Sequence, residues 1–526
     1  MANANLFRGG VSAVRKASRK PDAVNKAGGT AYAMADEAAL AQYACTGTFN
    51  DTFYSTAERQ MKETLALAQK VSPEFLAKTA IYARDKGFMK DMPAFLLAVL
   101  STRDADLFKK TFPRVIDNGK MLRNFVQIMR SGAVGRKSLG SAPKKAIQAW
   151  LNGRKDGSLF RDSVGDKPSL GDVIKMVHPS PEGASREAMY AYLIGKKLTD
   201  AQSAALPGVI QQYENFKKNT SLEVPDVDFR MLTSLPLTEK QWSSIAEKAG
   251  WMMTRMNLNT FERHGVLKNQ KMVNTIAHRL GSKDEVLKAR AFPYQLLTAY
   301  LNADPAVPAK ITNALQEAME HATANVPKYE GKVYVMIDVS GSMGSPVTGH
   351  RAGATSKTTC KDVAALVAAS VLRKNPDAEV ILFHTDAWRE KLNPFDSIMT
   401  NAQKIMKAPG GGTNCAAPVA LLNREKAAGD LIIMVSDNES WAHNYTWGAR
   451  YGGNLQSEWD VFKTRNPKAK LVCIDIQVEN TTQATTRKDT LNVGGFSDNV
   501  FEVINEFSSN TGSATFWTDK INQVAL

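Results

Sequence analysis

The sequence predicts a multidomain protein in which an all-α helical-repeat region over residues 1–328 precedes a doubly wound α/β domain over 329–526. Three observations carry that prediction. At 526 residues and 57.5 kDa the chain is too long for one compact core. The spacing of apolar residues changes from helical to strand-like near "NVPKYEGK" (325–332). Charge divides at the same place: of 67 Lys+Arg and 52 Asp+Glu, 20 and 21 lie from Tyr329 onward, leaving 47 and 31 before it.

From about residue 38 to 320 the pattern is helical almost throughout. Ser72-Pro73-Glu74 reads as a helix start. The serine can cap, the proline needs no hydrogen-bond donor, and the glutamate suits the positive end. Leu76, Ala80 and Ala83 then recur at helical spacing. Thr238-x-x-Gln241 and Ser282-x-x-Glu285 are capping-box signatures that open further helices. Helices of this length joined by short loops predict stacked helical pairs rather than one bundle, although no clean sequence repeat is visible.

Beyond residue 330, strand-like runs alternate with helical ones. The spacing predicts strands over 333–339, 379–386, 431–437 and 471–477, and helices over 363–372 and 416–422. The run opening at Val333 is apolar on both faces, as expected of a parallel strand covered on both sides. In such sheets ligands bind beyond the carboxyl ends of the strands.

Composition bounds the function class. A 43% hydrophobic and 23% charged chain with no apolar run long enough to cross a bilayer predicts a protein without a membrane partner. The basic start (Arg15, Lys16, Arg19, Lys20) lacks the apolar stretch of a secretory signal. Cys45, Cys360, Cys415 and Cys473 are far apart with no C-x-x-C pair, so they read as thiols in a reducing compartment, and a cytoplasmic location is expected. A basic half beside a neutral one points to a polyanion, with nucleic acid first and an anionic membrane surface second.

Three segments place short oxygen side chains at one sheet edge: Asp338-Val339-Ser340-Gly341-Ser342, "GGGTN" (410–414) and Asp437. Few oxygens on small side chains suit a hard divalent ion that keeps some of its waters. "GGGTN" has no following lysine, so it is not a phosphate-cradling Walker loop. Ser342 lacks the spacing of a nucleophile elbow, and no paired general acid and base is visible, so no enzyme is expected.

These residues resemble the metal-ion-dependent adhesion site of von Willebrand factor A domains. The resemblance implies that Ser340, Ser342 and Thr413 contact Mg²⁺ or another divalent cation, with Asp338 and Asp437 holding it directly or through water. Ligation mainly by hydroxyls would leave the ion electrophilic, open to a partner's carboxylate.

Stretches of the first half resemble the Ro autoantigen family, also called TROVE-domain proteins. They are "GGT" (28–30), "LGSAPKKAIQAWLN" (139–152), "GDVIKMVHPSPEG" (171–183), "MNLNTFERHGVL" (256–267) and "KARAFPYQLLTAY" (288–300), with "NVGGFSDNVFEVI" (492–504) behind the metal motif. The resemblance implies a ring of HEAT-like helical repeats whose ends an A-domain clasps. It further implies that single-stranded 3′ ends of misfolded RNA enter the ring, while small Y-like RNAs bind its basic outer surface. His178 matches the family's ring-lining histidine, an imidazole able to stack on or hydrogen-bond an unpaired base. Lys144 and Lys145 match a family basic pair. Arg136, Lys137, Arg161, Lys175 and Arg290 are candidates by charge and nearness to the matched stretches. The chain departs from the family at Ser141, where an arginine is common, and at "DKPSL" (166–170), where an aromatic and basic tract is usual.

The expected function is therefore non-catalytic RNA binding in RNA quality control or decay, with an exoribonuclease or RNA-repair factor as a further partner. The alternative is a metal-dependent docking scaffold, with the A-domain recruiting an acidic protein.

Overall fold

The computed structural model describes residues 20–289, 293–323, 326–353, 357–441, 454–495, 498–509 and 515–526. The helical region forms as its capping signals predict. Ser72 accepts from the Phe75 amide at the start of helix Pro73–Asp85, and Thr238 and Gln241 complete a reciprocal capping box. Ser282 Oγ accepts from the Glu285 amide at 3.5 Å, a longer version of the same cap. Leu76, Ala80 and Ala83 are fully buried.

Two short strands precede the helices, where no strand was expected. β1 (Ala23–Val24) pairs antiparallel with β2 (Thr30–Ala33). The α/β domain then supplies β3 (Val333–Asp338), β4 (Glu379–Phe383), β5 (Ala387–Glu390), β6 (Leu431–Ser436), β7 (Lys470–Asp475), β8 (Thr481–Thr482) and β9 (Thr490–Gly494). Its six-stranded sheet runs β5-β4-β3-β6-β7-β9, parallel except for the β4–β5 hairpin. β8 instead joins β2, so the N-terminal segment and the α/β domain share a three-stranded sheet.

Side-chain alternation divides the core between the two faces of the sheet. Val333, Val335 and Ile337 of β3, with Leu431, Ile433 and Val435 of β6, join the large core that also runs through the helical region. Tyr334, Met336, Ile432 and Met434 point to the other face, where Trp459 and Phe462 of helix Leu455–Arg465 cover them. The period of the sequence breaks at Val333, but the hydrophobic core does not.

Both ends of the helical region pack on the α/β domain, which closes the chain into a ring. Helix Asp36–Thr46 lies against β9 and helix Phe516–Asn522. At the other end, helix Pro293–Leu301 packs on Cys360–Lys374, and helix Ala309–Ala322 packs on Ile398–Met406. Polar contacts stitch both seams. Gln42 Nε2 donates to Asp475 Oδ2 at 3.1 Å, and Asn50 Nδ2 donates to the Thr348 carbonyl at 2.7 Å. Glu320 accepts from Arg373 and from the Ile398 amide.

Candidate metal site and nucleic-acid interface

β3 and β6 are neighbours although the chain visits β4 and β5 between them. Their carboxyl ends therefore form a topological switch point, the crevice where this architecture places ligands. Asp338 is the last residue of β3, and Asp437 follows β6. Gly341 N donates to the Gly411 carbonyl at 2.9 Å, drawing the "GGGTN" loop to the first motif. The Thr413 carbonyl accepts from the Trp441 amide at 3.1 Å and from Ser440 Oγ at 3.4 Å, tying the same loop to the Asp437 segment. All five expected residues, Asp338, Ser340, Ser342, Thr413 and Asp437, are buried at this edge.

The two carboxylates are held differently. Asp338 Oδ1 accepts from the Ser340 amide at 2.8 Å and Oδ2 from Ser436 Oγ at 2.6 Å. Ser340 and Ser342 hydroxyls are 3.2 Å apart, and Ser342 hydrogen-bonds Asp437. Asp437 Oδ2 is buried with no hydrogen-bond partner. Burial, and then the charge of Asp437, pushes the Asp338 carboxyl up to about 7. Burial raises Asp437 as well. Among the described residues neither carboxylate has an ion-pair partner.

Two close buried carboxyls, an orphaned oxygen and paired hydroxyls lack a positive charge and are the right chemistry to hold one. The donor set fits a hard divalent cation, with Ser340, Ser342, Thr413, Asp338 and Asp437 as the residues that would hold it. No cluster of three or more His, Cys, Asp or Glu suited to a metal occurs among the described residues, so this hydroxyl-rich set is of a different kind. Cys360 and Cys415 beside it are driven well above the ordinary thiol range, first by burial and then by the aspartates, and are poor nucleophiles.

The helical half also reaches this site, which sequence reasoning missed. The Tyr54 phenol hydrogen-bonds Ser342. Ala27 N donates to Glu439 Oε2 at 2.8 Å, and Asn25 Nδ2 donates to the Ser440 carbonyl at 2.8 Å. Gly29 is pressed so closely on that segment that a Cβ there would lie 1.9 Å from the Ser440 carbonyl oxygen. Lys26 sits between Glu63 and Glu479, one ammonium serving a crowded acidic interior. The "GGT" stretch is thus the piece of the first half that docks on the Asp437 loop.

The basic candidates fall into three groups. Lys137 and Lys144 line one shallow depression together with Arg130 and Met176. Lys137 lies in the loop before helix Ser141–Gly153, and Lys144 is in that helix's first turn. Arg130, which sequence reasoning missed, lies in the last turn of helix Gly119–Ser131. His178 caps the carboxyl end of helix Leu170–Val177 with φ +50°, and its side chain is exposed rather than a core group. Gln148 fixes it to the neighbouring helix, donating to the Val177 carbonyl at 2.6 Å and to the His178 carbonyl at 3.3 Å. Lys145 and Lys175 are exposed on the same two helices.

Arg136 is engaged within the chain. Arg136 donates to the carbonyls of Ser138 and Leu139, at 3.2 and 2.8 Å, so it shapes the loop rather than facing outward freely. Arg161 is exposed, and its charge only adds to that of Arg230, which lowers the Asp228 carboxyl against its burial. Arg290 lies outside the described residues. The "DKPSL" stretch has a structural task of its own, because Ser169 and Asp172 form the capping box of helix Leu170–Val177.

The chain matches two family models in order: the TROVE domain over residues 136–340 and the Ro60 vWA domain over 332–508. It is 24% identical over 457 residues to the RNA-binding protein RO60 of Deinococcus radiodurans, covering 80% of this chain and 83% of that protein. It is 25% identical over 419 residues to the RNA-binding protein RO60 of Caenorhabditis elegans, covering 72% of this chain and 61% of that one. The crystal structure of the Deinococcus radiodurans RO (RSR) protein superposes with a TM-score of 0.62 at 20% identity, over 91% of this chain and all of that one. With a closed helical ring, an A-type domain at its seam and both family models matched in sequence, the chain belongs to the Ro (TROVE-domain) family.

Proposed function

We propose that this protein binds RNA without catalysing a reaction on it. The carrying observation is the depression lined by Arg130, Lys137 and Lys144 on a half of the chain with 47 basic against 31 acidic residues. Among the described residues, Lys137 and Lys144 have no ion-pair partner, so their charge is available to phosphates. Two relatives that bear the name RNA-binding protein support the same reading. In detail, the basic face takes small structured, Y-like RNAs, and His178 engages the unpaired 3′ end of misfolded RNA. The complex then serves RNA quality control or decay in the cytoplasm, together with an exoribonuclease or a repair factor. No helix among the described residues is long and apolar enough to cross a membrane.

Mg²⁺ or a similar ion belongs to this reading at Asp338, Ser340, Ser342, Thr413 and Asp437. It would neutralise the buried carboxylates and hold the β3 and β6 ends together beside the N-terminal segment. The scaffold alternative needs an outside carboxylate at the ion, and there Tyr54 of the helical half already bonds Ser342. Retention of the full chain on single-stranded RNA at moderate salt tests the proposal. Loss of retention on Lys137→Ala with Lys144→Ala supports it, and wild-type protein that passes through unretained overturns it.

A further inference from the structure

A half-enclosed cavity of about 310 Å³ lies in the seam of the ring, apart from the basic depression and the metal site. Its walls come from the loop after helix Asp36–Thr46, the loop before helix Asp91–Arg103, the start of helix Pro293–Leu301, the Val347-Thr348 segment and the end of β9. Segments from both ends of the helical region therefore meet the α/β domain around one hollow. Aromatic rings from three of the helical segments reach it: Phe49, Tyr82, Phe88 and Tyr294. Lys86 and Lys90 stand among the lining residues with one lining carboxylate, Asp91; Lys120 is close to Lys90 too, as are Arg84 and Asp117, which pair with each other.

Phe88 carries the backbone clue. Its φ is +54°, a left-handed conformation that a bulky residue seldom adopts and that marks strained, often functional, positions. The ring is presented to the cavity from a backbone better suited to glycine. Aromatic walls with an amide (Gln295) and a cationic rim make a poor site for a plain hydrophobe. They suit a flat, polar-edged ring that carries a negative charge, and the volume is at the small end for a ligand site.

We infer that this cavity takes a single nucleotide, the base against the ring walls and the phosphate at Lys86 and Lys90. The inference rests on the RNA-binding reading for its source, the terminal residue of a single strand, but free nucleotide has the same chemistry.

Phe88→Gly in the full chain tests it. Glycine is at ease at φ +54°, so the variant removes the ring while relieving the backbone, and its melting temperature should hold or rise. Affinity for a hairpin with a single-stranded 3′ tail should fall about fivefold or more, the lower end for one stacked base, while the blunt hairpin is unaffected. Nucleoside 5′-monophosphates that raise the melting temperature of wild type but not of Phe88→Gly would name free nucleotide as the source. If the variant melts early, Lys86→Ala with Lys90→Ala, both exposed, reads the same comparison. Wild type and variants that agree for tailed RNA and for monophosphates overturn the site, even where wild type still binds RNA. Wild type that binds neither RNA fails the broader proposal instead, and the monophosphate arm then judges the cavity alone.

Discussion

Replacing Lys137 and Lys144 together by alanine isolates the electrostatic part of RNA binding. Both line the depression beside Arg130. Lys137 packs its stem over Gly132, where an added Cβ would lie 3.3 Å from Lys137 Cε, and Lys144 lies in the first turn of a helix. Losing surface lysines of this kind changes stability by roughly ±0.5 kcal/mol, so the variant should fold. Each phosphate neutralised on a single strand contributes about −0.7 to the slope of log affinity against log salt. Two lost contacts should make that slope shallower by about 1.4. The advantage of wild type over the variant then shrinks about sevenfold between 50 and 200 mM salt, by the same relation. Fluorescence anisotropy with a labelled single strand across that range resolves such a change. A variant with native circular dichroism and the wild-type slope would refute the placement of phosphate at these lysines.

Four other outcomes follow from the same structure. Arg136→Ala should weaken binding with little change of salt slope, because its guanidinium braces the Ser138 and Leu139 carbonyls; parallel salt titrations read this. Mg²⁺ at a hundredfold excess over its Kd should stabilise wild type by about 2.7 kcal/mol and leave Asp338→Ala unmoved in a thermal melt. Gly29→Ala should loosen the N-terminal segment, at a cost of about 1–3 kcal/mol for the overpacking, and limited proteolysis should cleave it sooner. Glu479 is buried beside Lys26, with Glu63 and Glu439 also near, and burial holds its carboxyl up at about 7 despite the lysine. Its folded value is above the unfolded one, so the stability it contributes is complete below about pH 4 and is lost as pH rises through about 7. Chemical denaturation from pH 5 to 8 should fall less steeply for Glu479→Gln than for wild type.

The convergence of Asp338, Ser340, Ser342 and Asp437 on one sheet edge was legible because they are contiguous or lie at the end of a buried strand. Asp338 ends an apolar run that any reading makes a strand, with Ser340 and Ser342 just after it, and Asp437 follows another. Ser436, which bonds Asp338, could have been read from its place beside Asp437. Tyr54, Lys26 and Gly29 could not, since only the closing of the ring brings them to the site. β5 and β9 were hidden for local reasons. β5, "AWRE", is half exposed and polar, and β9, "TLNVG", buries Asn492, satisfied by Ala484 O and Thr482 Oγ1, where a run of apolar residues would be expected. Charge alone named Arg136 beside Lys137 without separating them. The difference lies in Gly140, whose missing side chain leaves the space that the Arg136 guanidinium fills.

The excess positive charge and the oxygen cluster lie in different halves of the chain, an arrangement compatible with metal and RNA acting independently. The contacts of Tyr54, Ala27 and Asn25 with the metal-site loops argue against full independence, because the ring closes through them. Chelation should therefore reach the ring as well as the site.

The central claim is that the helical ring holds RNA, with His178 reading an unpaired end. One hairpin made with and without a single-stranded 3′ tail, titrated against wild type and His178→Ser, tests it most directly. Because the His178 side chain is exposed and its backbone is fixed by Gln148, the variant should keep its melting temperature. Wild type should prefer the tailed form, and His178→Ser should lose about fivefold on it while binding the blunt form unchanged. Equal affinity of wild type for tailed and blunt RNA would contradict the account.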